Sequence, residues 1–292
     1  MSPRALMLVL LAALCHSGWN LIVKTDARRL EIQSGALVVG TLACAPVLFF
    51  YSPWTLPPQA WVAIAVSALF ESAYVLALTS AYAAGDMSLV YPVARGTGTV
   101  LVAPLAVLLL GERLSPQGVI GIALVVAGVF LSHGLSHGLG RGALRGWAAG
   151  HGQPRALGWA LLTGAFIASY SLVNKVGVTL APVPLYAFLV FLADAVLVRL
   201  VQPWWGAAPP ALRRDAPWGR MIVVGVLMMG AYLAVLVAMS QAPVSYVVAA
   251  REVSVVLAAL LGVLVLRERH SRTRVAGAVV IFAGLCAIAL AR

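Results

Sequence analysis

Acidic residues are scarce in this chain: nine Asp and Glu stand among 292 residues, against twenty Lys and Arg. Charges of both signs make up only 10% of the sequence, where a soluble domain carries about a quarter. So few charges cannot cover a water-facing surface, which excludes an ordinary soluble domain. Cysteine is scarce too. Cys15, Cys44 and Cys286 lie inside apolar runs with neither disulfide nor metal-ligand spacing, and each reads as a small apolar side chain. There is no phosphate-cradling glycine loop, nucleophile elbow or metalloprotease helix motif, so nothing supports ATP-driven or hydrolytic chemistry and no cofactor is implied. "LAALC" at 11–15 has the outline of a lipoprotein signal, but Leu14 fills the place that needs a small residue. The apolar run also continues past Cys15, so the segment reads as an uncleaved first helix.

The sequence is instead 62% apolar with a mean hydropathy of +0.98. The net charge of +11 would suggest nucleic acid in a soluble protein. Here Lys and Arg cluster between apolar runs, which makes the partner a lipid bilayer and not nucleic acid. Ten apolar runs of about membrane-spanning length occur near 5–23, 34–51, 59–81, 88–110, 117–132, 156–178, 183–201, 219–241, 244–266 and 273–290. Pro, Gly and charge clusters such as "YSPWTLPP" and "GERLSPQG" separate them. The expected fold is an all-α integral membrane protein of ten transmembrane helices.

An internal repeat organises those helices. Residues 95–128 align without a gap on 251–284 with 15 of 34 positions identical, Arg95/Arg251, Glu112/Glu268, Ser115/Ser271 and Gly128/Gly284 among them. Upstream, "SAYVLAL" (72–78) matches "GAYLAVL" (230–236) and "WNLIVK" (19–24) matches "YSLVNK" (170–175). Residues 1–132 therefore read as one five-helix repeat, 133–155 as a Gly- and His-rich linker, and 156–292 as the second repeat. Five is odd, so the halves cross the membrane in opposite senses, the build of many secondary transporters with a midplane site between halves. Fourteen Lys and Arg fall at the loops after helices 1, 5, 7 and 9 and four on the other side, which places both termini outside the cytoplasm.

These features resemble the EamA branch of the drug/metabolite transporter superfamily: the opening "CHSGWNLIVK", the stretch "GDMSLVYPVARG", and "GERLSPQGVIGIALVVAGV" closing the first half. The resemblance covers essentially the whole chain. It implies a multi-pass transporter of a bacterial inner membrane that moves a small metabolite, with no indication of which metabolite or direction, and it implies cytoplasmic termini, against the charge count. Small multidrug resistance relatives carry a membrane glutamate eight residues before a lysine in their first helix. Counting back eight from Lys24 gives His16, and the second repeat has Ile167 there, so a carboxylate is absent at both positions; His is titratable near neutral pH. Those relatives also use glycines seven apart for helix packing. Gly121/Gly128 and Gly277/Gly284 have that spacing, which makes the helices that carry them a scaffold within a monomer or a homodimer face.

Ionisable groups inside membrane helices are costly and face a cavity or a partner. Here they are His16, Glu71, Arg95, Asp194, Arg251 and Glu252. Arg95 admits three readings. It could snorkel to the lipid surface; it could pair with Glu71, as Arg251 could with Asp194, leaving Glu252 facing elsewhere; or Arg95 and Arg251 could bind an anionic or zwitterionic substrate across a central cavity. Pro92 is expected to break helix 4 just before Arg95. Trp19, Asn20, Tyr74, Tyr91, Tyr170, Asn174, Tyr232 and Tyr246 are candidate cavity-lining residues, with interfacial anchoring as the alternative. Trp54, Trp61, Trp147, Trp204, Trp205 and Trp218 lie at segment ends as anchors. His133 and His137 read as solvated loop. Function is then alternating-access transport, proton-coupled through His16 and Glu71, with a membrane enzyme on a lipid or isoprenoid phosphate, or a non-transporting scaffold, as competing classes.

Overall fold

A computed structural model describes residues 1–24, 29–85, 87–132, 153–201, 217–257 and 272–291. Among these there are ten helices and no strand. They are α1 (Pro3–Lys24), α2 (Arg29–Cys44), α3 (Pro58–Ala84), α4 (Met87–Leu110) and α5 (Pro116–Ser132) in the first half. The second half holds α6 (Gln153–Leu180), α7 (Val183–Val201), α8 (Trp218–Gln241), α9 (Val244–Arg251) and α10 (Arg272–Leu290). Seven of the helices are long and apolar enough to cross a bilayer, and the second of these spans continues through the 3₁₀ turn Ala45–Phe49 that Pro46 introduces. Large apolar side chains face outward along the helices, such as Leu108 at 77% on α4 and Phe282 at 60% exposure on the shorter α10, which suits lipid and not water. The chain is an all-α membrane protein whose ten helices form two inverted five-helix repeats.

Packing partners exchange when the halves are exchanged. α3 packs on α6 and α7, as α8 packs on α1 and α2; α4 lies on α6, as α9 lies on α1. α5 and α10 pack on one another. Lipid offers no hydrophobic gain for bringing helices together, so close backbone approach must supply the contact energy. That is the use of the paired glycines: a Cβ on Gly121 would stand 2.9 Å from the Gly284 carbonyl oxygen, and one on Gly128 would stand 2.8 Å from that of Gly277. The glycines expected at a scaffold or a homodimer face lie buried in the α5–α10 contact within one chain.

Two expectations about helix breaks are corrected. Pro92 does not break α4, which runs unbroken past Pro92 and Pro104. Pro92 stands in the second turn, where the one hydrogen bond it forfeits is to a carbonyl of the first turn. The interruption lies in the ninth segment instead. α9 ends at Arg251, Glu252 forms a turn donating its N–H to the carbonyls of Ala249 and Ala250, and helix resumes over 253–257.

The motif "GERLSPQG" secures the start of α9. Gly111 takes a left-handed φ of 66° and ends α4. The next residue, Glu112, accepts hydrogen bonds from the N–H of Val244 at 2.5 Å and of Ser245 at 3.3 Å, and from Ser245 Oγ at 2.7 Å. Its carboxylate is an N-terminal cap supplied by the opposite half. Across the same α8–α9 junction, Lys175 Nζ donates to the carbonyls of Met239 and Ala242 at 2.5 and 3.0 Å. Tyr246 Oη accepts from the Ser115 N–H at 3.1 Å, and Gly118 leaves the room its ring occupies.

Candidate functional site

Arg95 sits where α4 comes against α5 and α6, and the glycines around it make those approaches possible, Gly96 toward α5 and Gly98 toward α6. A Cβ on Gly96 would meet the Phe130 ring at 2.5 Å; one on Gly98 would meet Ile167 at 2.7 Å. Arg95 is consequently only 8% exposed and does not snorkel to the lipid surface. Nor does it pair with Glu71. Its Nε donates to Glu252 Oε2 at 3.2 Å and its Nη2 stands 2.9 Å from Glu252 Oε1, a two-point contact between halves. Thr99 Oγ1 reaches the same Oε1 at 3.5 Å. Glu252 is 2% exposed, so each charge depends on the other to be tolerated there.

Arg251 has different surroundings. Its guanidinium reaches the Tyr170 hydroxyl, and among the described residues it makes no salt bridge; the expected Asp194 pairing is absent. Both arginines act electrostatically on His16 and on Tyr170, so one from each half converges on a shared region. Tyr91 feels Arg95, Glu252 and Arg251 together. Tyr74 meets Tyr170 edge-on at 6.0 Å between ring centres, and Trp19 meets His16 in the same manner at 4.9 Å. His16, Trp19, Tyr74, Tyr91 and Arg251 are all half-buried. Asn20 stands apart, its amide donating to the His16 carbonyl at 2.8 Å within α1.

A second polar cluster lies between α3, α6, α7 and α8. Glu71 Oε1 accepts from Tyr232 Oη at 2.9 Å, Asn174 Nδ2 at 3.1 Å and Ser67 Oγ at 3.3 Å. Asn174 Oδ1 accepts from Ser67 Oγ at 2.6 Å and Tyr186 Oη at 2.9 Å. One residue along α3, Ser72 Oγ donates to Asp194 Oδ1 at 2.6 Å. Among the described residues neither Glu71 nor Asp194 makes a salt bridge; hydroxyl and amide donors hold Glu71, and the Ser72 hydroxyl holds Asp194. Tyr170 also feels Glu71, so it stands between the two clusters.

The EamA-like transporter family model matches the chain twice, over residues 3–133 and 154–290. The chain belongs to that family. It is therefore a multi-pass membrane transporter, and the polar centre between its halves is the natural place to look for transport chemistry. A curated relative, the multidrug resistance protein EbrB of Bacillus atrophaeus, is 42% identical over 71 residues, which is 24% of this chain and 60% of the relative's length. A solved structure titled "Crystal structure of protein" superposes with a TM-score of 0.77 over 99% of this chain and 98% of its own, at 19% identity. That likeness bears on the fold alone.

Within this EamA-like transporter, ten of the eleven proposed site residues fall into two groups. Arg95, Arg251, Tyr74, Tyr91, Tyr170 and Trp19 gather with His16, while Glu71, Asn174 and Tyr232 form the second group, and Asn20 joins neither. Sequence reasoning missed Glu252 as the partner of Arg95, and it missed Ser67, Ser72, Tyr186 and Thr99. Trp54 is 90% exposed at a helix end, as an interfacial anchor would be. Trp147, Trp204, Trp205, His133, His137, most of the linker and the second half of the ninth span lie outside the described residues.

Proposed function

We propose that this transporter works by alternating access, carrying a small organic anion or zwitterion through the region shared by Arg95 and Arg251, and is driven by a proton gradient. The observation carrying this reading is the convergence of two guanidiniums, one from each repeat, beside four aromatic rings, with a carboxylate, among the described residues, on only one of them. A guanidinium fork matches carboxylate and phosphonate geometry, and inverted repeats put such groups at the midplane where either half can expose them. His16, against both arginines, and Glu71, held by three donors, are the groups we assign to proton coupling. We place the protein in a bacterial inner membrane and read it as a carrier and not an enzyme.

One observation favours a second reading. Glu71 and Asp194 are two membrane carboxylates whose direct partners are uncharged, and a relative in part of its length is named for multidrug resistance. That arrangement would suit a lipophilic cation at the α3–α6 cluster. A thermal-shift screen of purified protein against organic anions, phosphonates, amino acids and lipophilic cations separates the two. The first reading predicts stabilisation by anions or zwitterions; stabilisation by cations alone overturns it.

A further inference from the structure

Arg95 and Arg251 are equivalent in the repeat but not in their surroundings. The residue after Arg251 is Glu252, whereas the residue after Arg95 is Gly96, packed under the Phe130 ring. The duplication therefore supplies two guanidiniums and one carboxylate. That carboxylate reaches across the interface between halves and occupies the Arg95 fork at two points, 2.9 and 3.2 Å. The Arg251 fork touches the Tyr170 hydroxyl and keeps accessible surface. Three residues on, Ser254 Oγ is buried without a hydrogen-bond partner.

We infer that Glu252 sets how many negative charges the site accepts: it fills the Arg95 fork as a built-in carboxylate and leaves the Arg251 fork for a substrate with a single anionic group. This rests on the anion-site reading above. A flat or apolar remainder suits the neighbourhood, since Trp19 meets His16 edge-on, Tyr74 meets Tyr170 edge-on, and Tyr91 lies in the field of both arginines. A second anionic group would have to take Arg95 from Glu252, stranding a carboxylate that is 2% exposed and has, among the described residues, only Thr99 in reach. Burying an unpaired charge is strongly unfavourable, so dianions are rejected. Glu71 and Asp194 do not change this count of forks, since each is engaged by donors of its own cluster.

The test uses benzoate and phthalate, one and two carboxylates on the same ring, titrated calorimetrically into the purified full chain above neutral pH. Wild-type protein is expected to bind benzoate about tenfold or more tightly than phthalate, the scale of one charge-assisted contact. Glu252→Gln frees the second fork, and the ratio should fall to about one or invert. A ratio unchanged in folded Glu252→Gln overturns the inference, as does a wild-type preference for phthalate. Should Glu252→Gln not accumulate, Glu252→Asp replaces it: one carbon shorter, it loosens the two-point contact and should improve phthalate binding alone, and equal binding to wild type overturns the inference. Failure of wild type to bind either anion, with binding of lipophilic cations instead, overturns the underlying anion-site reading.

Discussion

Glu112→Ala is the sharpest probe of how the fold holds α9 in place. The Glu112 carboxylate is the acceptor for two amide hydrogens and one hydroxyl at the start of α9, and it comes from the opposite half of the chain. Removing a side-chain cap costs about 1–2 kcal/mol of helix stability. Since 1.4 kcal/mol is tenfold in an equilibrium, opening of α9 should become about five- to thirtyfold more frequent. The Lys175 contacts to Met239 and Ala242 hold the other side of the junction and keep the loss local. Hydrogen exchange read by mass spectrometry on detergent-purified protein measures this directly. Amides of Val244–Arg251 should exchange faster by that factor, and those of α7, which does not border α9, should not change. Unaltered exchange in α9 would refute the idea that "GERLS" acts as a cap in trans.

Three further outcomes follow from the packing and the polar centre. Gly121→Val puts a branched side chain against the Gly284 carbonyl and Ile288, an overpacking that costs about 1–3 kcal/mol and should lower the melting temperature. Gly158→Ala, inside α6 where a Cβ meets nothing within 4 Å, should not lower it and serves as the control. A His16→Gln, Glu71→Gln double variant should lose pH-driven flux in vesicles while still inserting; undiminished flux removes both residues as coupling groups. Arg95→Lys loses the two-point contact with Glu252 and should reduce transport of an anion without preventing insertion; unchanged transport sinks the role given to Arg95.

Helices were legible because lipid demands one thing everywhere, about twenty apolar residues with the backbone satisfied internally. The repeat was legible because its charged and Gly identities do not come from apolar bias. Partners were not. The Arg95–Glu252 contact joins residues 157 apart, and repeat symmetry gives no hint of it, since the counterpart of Glu252 is Gly96. Glu71 was visible as a membrane carboxylate with Ser67 four residues before it on α3, but Asn174 and Tyr232 reach it only after α6 and α8 pack beside α3. Pro92 misled because a membrane helix tolerates proline: α4 carries both Pro92 and Pro104 without a break. The interruption at Glu252 falls in "AAREVS", which has no Pro or Gly to announce it.

The central claim is that Arg251 is the open anion contact of a gradient-driven carrier. Its most direct test is uptake, into proteoliposomes with an imposed proton gradient, of whichever organic anion stabilises the purified protein most, comparing wild type with Arg251→Lys. Lysine keeps the charge but loses the planar fork. The account predicts gradient-dependent uptake in wild type and a drop of about tenfold in Arg251→Lys, the scale of losing one charge-assisted contact. Equal uptake by the two proteins, or uptake of a lipophilic cation and no anion, would contradict it.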